Sequence, residues 1–103
     1  MNRLRELQKF LDEDPHDPFN RYALALEYQK TDTAKAIELF EQLVREHGDY
    51  LPVYYAFGKL SDATGDRQKA IDVFKRGIEK ARDQQQHKTL RELQSALDEL
   101  LYE

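Results

Sequence analysis

Acidic side chains crowd into one short stretch near the start of the chain. Asp12, Glu13, Asp14 and Asp17 are carboxylates of the kind that bind calcium. Their spacing lacks the alternating ligands, the central glycine and the late glutamate of a calcium-binding loop. Two prolines interrupt the same stretch. We therefore interpret these carboxylates as solvated caps at helix ends rather than as a metal site.

The other groups that could do chemistry are three histidines, and the chain has no cysteine. His16, His47 and His87 lie near predicted helix ends, and no two of them share a metal-ligand spacing. The sequence contains no glycine-rich phosphate loop, no serine nucleophile motif and no zinc-binding HExxH helix. We therefore predict no catalytic residue, no metal site and no cofactor.

The charge balance limits the partners that the chain can bind. Its 103 residues include 16 Lys and Arg against 20 Asp and Glu, which gives a formal net charge of -4. An acidic surface is repelled by nucleic acids and by anionic membranes. No apolar run is long enough to span a membrane or to form a signal peptide. These features predict a soluble, cytoplasmic protein that binds neither nucleic acid nor membrane.

Apolar residues recur every three or four positions along the chain, which is the pattern of amphipathic helices. Capping residues, prolines and glycines break this pattern, so that we predict six helices and no strand. Asp17 should cap the second helix, and Asp32 or Thr33 the third. Gly48 should end the third helix in a left-handed conformation. Gly65 should stop the fourth helix, and Asp66 directly after it should start the fifth.

A period of 33 to 34 residues organises these helices. Residues 35–40 recur as residues 69–74 at an offset of 34, and residues 22–25 match residues 55–58 at an offset of 33. A period of this size is typical of stacked helix pairs. Small residues in both copies let two helices approach closely, and large residues fill the remaining space.

The two copies resemble the tetratricopeptide repeat motif, in which large and small residues alternate at set positions. The second copy has Tyr54, Phe57, Gly58, Ser61, Ala70, Phe74 and Gly77 at these positions. The first copy has Arg21, Leu24, Ala25, Tyr28, Ala36, Phe40 and Leu43. Arg21, Ser61 and Leu43 depart from the motif. The resemblance is to short bacterial members of the family, and it implies an all-α fold, an α-solenoid of antiparallel helix pairs.

The resemblance further implies a single domain with four parts. These are an N-terminal helix (1–14), two repeats (17–48 and 49–81) and a capping helix (86–102), which follows a looser polar stretch. Two repeats alone leave apolar faces uncovered at both ends. We therefore expect both flanking helices to be needed for folding.

In this family the first helix of each pair lines a concave groove. The groove positions that the resemblance implies are Phe19, Tyr22, Leu26, Lys30, Tyr55, Lys59, Asp62, Lys88 and Arg91. Tyr22 and Tyr55 are equivalent, and they are either recognition residues or half-buried residues that seal neighbouring helices.

The cations at the groove positions also have two interpretations. Lys30, Lys59 and Arg91 either favour an acidic or C-terminal carboxylate ligand or are ordinary solvated charges. Some family members clamp the terminal carboxylate of chaperone tails. Only Lys88 matches that clamp, so we do not predict it here.

Together these features predict a non-catalytic protein–protein interaction module that binds a peptide or helix of a partner in its groove, as a monomer or weak homodimer. The alternative is a structural, self-associating repeat protein that acts as a homo-oligomeric scaffold. Exposed apolar residues near the C-terminus, Leu101 and Tyr102, suggest this alternative.

Overall fold

Six α-helices make up the regular structure of the computed structural model, which describes residues 2–102. Their bounds are α1 Arg3–Glu13, α2 Pro18–Tyr28, α3 Thr33–Glu46, α4 Pro52–Ala63, α5 Arg67–Asp83 and α6 His87–Leu101. No strand occurs within the described residues. The predicted all-α class is confirmed.

The contacts between helices divide the chain into two compact units, with the boundary after Tyr50. In the first unit α2 packs against both α1 and α3. In the second unit α5 packs against both α4 and α6, and α6 also contacts α4. Each unit therefore contains one predicted repeat together with one flanking helix.

Aspartate side chains begin three of the helices, as their positions in the sequence predict. The carboxylates of Asp17, Asp32 and Asp66 each accept a hydrogen bond from a backbone N–H two or three residues ahead, at 3.0 to 3.1 Å. They satisfy N–H groups of the first turn that have no partner within the helix.

The prediction that Gly48 ends the third helix in a left-handed conformation is wrong. The helix has already ended, because His47 adopts φ -137° and ψ 57° while its N–H donates to the carbonyl of Leu43. Within the described residues, positive φ occurs instead at Gly65 (89°), just beyond the end of α4, and at Gln85 (57°).

The polar stretch 82–87 is more ordered than the sequence suggests. The helix α5 continues through Asp83, two residues beyond the predicted end of the second repeat, because no glycine or proline interrupts it. A tight turn follows, in which the N–H groups of Gln85 and Gln86 donate back to carbonyls in the last turn of α5. The helix α6 then begins at His87.

The core of the first unit follows the predicted motif with two polar exceptions. Its buried residues are Leu7, Leu24, Ala25, Ala36, Leu39, Phe40 and Leu43. Tyr28 and Arg21 occupy motif positions but are only half-buried. The Nη1 atom of Arg21 donates to Oε1 of Glu46 at 3.0 Å, and its buried Nε has no hydrogen-bond partner among residues 2–102.

In the second unit, two glycines allow α4 and α5 to pack closely, because each faces an aromatic residue of the other helix. All seven of its motif positions are buried. A Cβ atom added at Gly58 would lie 2.3 Å from Cε1 of Phe74, and one added at Gly77 would lie 2.5 Å from Cβ of Tyr54. Both distances are far shorter than van der Waals contact. The separation of α4 and α5 therefore requires a residue without a side chain at both positions.

Replacing Gly77 with Ala should destabilise the protein by about 1 to 3 kcal/mol, although alanine is the better helix former. The clash is with a Cβ atom, which no rotamer change can move, so α4 itself must shift. Chemical denaturation would measure the free energy of unfolding. Lys75→Ala, on the exposed side of α5, is the control and should change it by less than about 0.5 kcal/mol. A Gly77→Ala protein more stable than the parent would contradict this packing.

Replacing Ser61 with Ala should stabilise the protein by about 1 kcal/mol. Ser61 is 1% exposed, and its Oγ has no hydrogen-bond partner among the described residues. Its burial therefore costs free energy that alanine does not incur. Ser95→Ala, at an exposed position of α6, measures the helix-propensity gain alone. Equal gains in the two variants, measured by thermal and chemical denaturation, would show that the Ser61 hydroxyl is not an unsatisfied group.

Candidate functional site

The groove positions of the first unit lie on one side of α2 and just beyond its end. We call Phe19, Tyr22, Leu26 and Lys30 the α2 face. Phe19 is 57% exposed, whereas Tyr22 and Leu26 are half-buried. Lys30 is exposed, but its Nζ lies 3.2 Å from Oε1 of Glu27. The α2 face therefore offers one open aromatic ring and a cation that already has a carboxylate partner.

Tyr22 is wedged between two other aromatic rings. Its ring centroid lies 5.5 Å from that of Tyr50 in an edge-to-face arrangement and 6.5 Å from that of Phe40. Burial raises the pKa of the Tyr22 phenol above its usual value. Burial also raises the pKa of Tyr50, and the nearby charges of Tyr22 and Asp17 raise it further. Tyr22 is therefore partly a packing residue.

The groove positions of the second unit lie on α4 and α6. We call Tyr55, Lys59, Asp62, Lys88 and Arg91 the α4–α6 face. All five are exposed. Tyr55 is 45% exposed, and its ring centroid lies 6.4 Å from that of the buried Phe74. Unlike Tyr22, Tyr55 presents a large open surface while one edge rests on the core.

The packing of α6 explains why Lys88 and Arg91 point outward. Its buried stripe consists of Leu93, Ala96, Leu97 and Leu100. Arg91, Glu92 and Glu99 lie on the exposed side of α6. The guanidinium of Arg67 donates to the carbonyl of Leu100 and ties the end of α6 to the start of α5.

Sequence reasoning missed Tyr50, which covers Tyr22. It lies 28 residues after Tyr22, in the segment between α3 and α4. An aromatic residue in a short connection next to a helix start is a weak sign that its ring packs on a neighbouring helix. The sequence does not indicate which helix. The pairing of Arg21 with Glu46 was also missed, although Arg21 was recognised as a departure from the motif.

Other parts of the surface do not assemble a reactive site. Among residues 2–102, no three His, Asp or Glu side chains are grouped so that they could hold a metal ion. An open hollow of about 500 Å³ is lined by polar residues of α1, by Leu4 and by Tyr28. Within the same described range, every helix is too short or too polar to cross a bilayer.

Comparison with known proteins identifies the repeat. The family model described as tetratricopeptide repeat matches residues 27–93, which is more than half of the chain. A solution structure of a tetratricopeptide repeat domain protein from Salinibacter ruber is 45% identical, with a TM-score of 0.80, and the match covers 84% of this chain and 89% of that one. A crystal structure from the same organism, also described as a tetratricopeptide repeat domain protein, is 42% identical, with a TM-score of 0.79 and coverage of 84% and 98%.

A more distant structure shares the fold alone. A protein from Bordetella parapertussis is 20% identical, with a TM-score of 0.83, and the match covers 98% of this chain and 89% of that one. Comparison with curated proteins gives no match.

Replacing Tyr22 with Phe should make the free energy of unfolding fall less steeply as the pH rises into the alkaline range. Above about pH 10 the unfolded chain releases its phenol protons, whereas the raised pKa keeps Tyr22 and Tyr50 protonated in the folded state. The unfolded state then binds fewer protons, so the free energy of unfolding falls as pH rises through this range. The variant lacks the phenol of Tyr22. It also lacks the Tyr22 charge that helps to raise the pKa of Tyr50.

Denaturation at a series of pH values from about 9 to 11 would measure this slope for both proteins. Tyr50→Phe is the matched variant, and it should flatten the slope in the same direction. Equal slopes in the parent and both variants would show that the two rings are not desolvated as described.

Proposed function

Because the chain belongs to the tetratricopeptide repeat family, we propose that it is a non-catalytic module that binds a peptide or helical segment of another protein. Tetratricopeptide repeat domains generally bind other proteins, and the family is generally non-catalytic. The groove positions are the proposed binding residues, as the α2 face in the first unit and the α4–α6 face in the second.

The exposure of Tyr55 is the observation that carries this proposal. Tyr55 is 45% exposed. An exposed aromatic side chain costs free energy in water unless a partner covers it, and interface hot spots favour tyrosine. Contact with Phe74 restricts the ring, so that little conformational entropy is lost on binding. Phe19, which is 57% exposed, supports a similar role for the α2 face.

Self-association is the second candidate, and the end of α6 favours it. Leu101 is 41% exposed and Tyr102 is 81% exposed. Apolar side chains at a helix end can pack against a second copy of the chain and form a homo-oligomeric scaffold. In the leading proposal the protein is a monomer or weak homodimer in the cytoplasm, and these residues contribute nothing to partner binding.

Replacing Tyr55 with Ala should weaken partner capture at least tenfold, because an aromatic hot spot contributes about 2 kcal/mol or more to binding. The immobilised chain would be used to capture proteins from the cell that makes it, and mass spectrometry would identify them. Titration calorimetry with the purified partner would then measure the affinity. Tyr55 is a better target than Tyr22, since truncating Tyr22 would also remove its packing against Phe40 and Tyr50.

Tyr102→Ala is the matched control, since it removes another exposed tyrosine ring at a distant position of the sequence. It should leave capture and helicity unchanged. Sedimentation velocity on the parent protein, Tyr55→Ala and Tyr102→Ala distinguishes partner binding from self-association. The binding proposal fails if Tyr55→Ala captures the partner normally. Self-association is favoured instead if the parent forms oligomers that Tyr102→Ala dissociates.

A further inference from the structure

The helix α1 has the apolar pattern of the second helix of each pair. Four residues with the same spacing recur in three helices, at offsets of 33 and then 34 residues. They are Leu4, Leu7, Phe10 and Leu11 in α1, Ile37, Phe40, Leu43 and Val44 in α3, and Ile71, Phe74, Gly77 and Ile78 in α5. A first helix precedes and packs against α3 and α5. Among residues 2–102, α1 has no such helix before it.

The helix α6 has the apolar pattern of the first helix of a pair. Residues 90, 93, 94 and 97 have the spacing of the motif residues 54, 57, 58 and 61 in α4. The offset is 36 rather than 34, which matches the two residues by which α5 extends beyond the predicted end of its repeat. No second helix follows α6 in the part of the chain that the structure describes. The helices α6 and α1 are therefore complementary halves of a repeat.

Phe10 is exposed where α1 lacks a partner helix. Its equivalent in α5 is Gly77, which faces Tyr54 on the first helix of that pair. Its equivalent in α3 is Leu43, which is 0% exposed. Phe10 has the largest side chain of the three residues, and it is 52% exposed. Its exposure marks the place where a first helix would pack against α1.

A stripe along α6 is open for the same reason. It consists of Leu90, Gln94, Leu97 and Leu101, which lie three or four residues apart and therefore on one side of the helix. Leu97 is buried and Leu90 is half-buried, whereas Gln94 and Leu101 are exposed. We call these four residues the open stripe of α6. By its spacing, the stripe corresponds to the side of α4 that packs against α5.

We propose that α6 of one copy of the chain packs against α1 of a second copy, and that the two helices complete a third helix pair. Phe10 of one copy then meets the open stripe of α6 of the other, as Gly77 meets Tyr54 within the pair of α4 and α5. A second copy fits this place because the chain itself supplies both missing halves. The contact joins two different surfaces, so copies can add to one another in a chain or a ring. This inference goes beyond the proposed function and leaves Tyr55 uncovered.

The charges at the helix ends favour the orientation that both complete pairs have. In each pair a short connection joins two packed helices, so that they run antiparallel. In an antiparallel contact, Asp98 and Glu99 in the last turn of α6 lie beside Arg3 and Arg5 in the first turn of α1. A parallel contact would instead place these two carboxylates beside the acidic residues 12–14 at the end of α1.

Neighbouring charges do not reverse this complementarity. The guanidinium of Arg67 donates to the carbonyl of Leu100, which leaves two carboxylates against one cation at the end of α6. Glu6 leaves two arginines against one carboxylate at the start of α1. Glu27 approaches Arg3 at 3.8 Å, but the same oxygen lies 3.2 Å from Nζ of Lys30. Exposed charge pairs contribute little free energy, so they select the orientation rather than the strength of the contact.

The test mixes two variants of the full chain, each blocked at one of the two surfaces. Phe10→Lys blocks α1, and Leu101→Lys blocks the open stripe of α6. Each variant alone should remain monomeric. An equimolar mixture should form a heterodimer of twice the mass of the chain, because each variant retains the surface that the other has lost. Sedimentation equilibrium at up to about 1 mM would measure these masses, since a contact of one helix pair is small and weak.

The parent protein should associate further as its concentration rises. The matched controls are Ala34→Lys and Ser95→Lys, which make the same change in net charge at exposed positions of α3 and α6 and should associate like the parent. All four changes bring the acidic chain closer to neutrality, so a loss of association in the two blocked variants is not caused by added repulsion between whole chains. Circular dichroism would check that the variants fold, and Phe10→Ser replaces Phe10→Lys if the lysine variant loses helicity.

Three results would overturn the inference. These are a parent that stays monomeric at about 1 mM, a mixture no heavier than its separate components, and dimers formed by either blocked variant alone. Oligomers that Tyr102→Ala dissociates and Phe10→Lys retains would assign self-association to the end of α6 alone and would also overturn it. The proposed function is tested separately, since Phe10→Lys should still capture the partner and Tyr55→Ala should still associate like the parent.

Discussion

The close approach of α4 and α5 is the constraint on which the second unit depends. Gly58 faces the ring of Phe74 and Gly77 faces Tyr54, so each helix supplies a glycine for the aromatic residue of the other. Such reciprocal contact allows native packing density between the two helices. It also orients α4, because turning residues 54, 57, 58 and 61 inward leaves Tyr55, Lys59 and Asp62 on the outside. The candidate binding face is thus a consequence of how the core is packed.

In the first unit, different residues occupy the positions that are equivalent to Tyr54 and Gly77. Arg21 stands one period before Tyr54, and Leu43 stands one period before Gly77. A large aliphatic side chain therefore occupies the position of the glycine, and a slender arginine stem occupies the position of the tyrosine. The guanidinium pairs with Glu46 on the following helix, while its Nε is left without a partner among the described residues. The unit retains the repeat fold at the cost of one buried polar atom.

This difference between the repeats extends to the two equivalent tyrosines. Tyr22 is covered by Tyr50, whereas the residue one period after Tyr50 is Gln84, which has no ring to offer. Tyr55 consequently keeps an open surface. The two copies of the motif are therefore chemically distinct. Tyr22 contributes to packing, whereas Tyr55 is proposed to contact a partner.

The sequence by itself determined the six helices, the aspartate caps at Asp17, Asp32 and Asp66, and nearly all of the buried motif positions. These features depend on periodicity and capping, which act within a few residues of the chain. The tertiary structure alone decided that Tyr22 is half-buried against Tyr50 while Tyr55 is exposed, and that Arg21 pairs with Glu46. Such contacts join residues about 25 or more positions apart. Periodicity shows which side of a helix faces the core, but it does not show which residue of a neighbouring helix or connection that side will meet, because this depends on how the helices pack together.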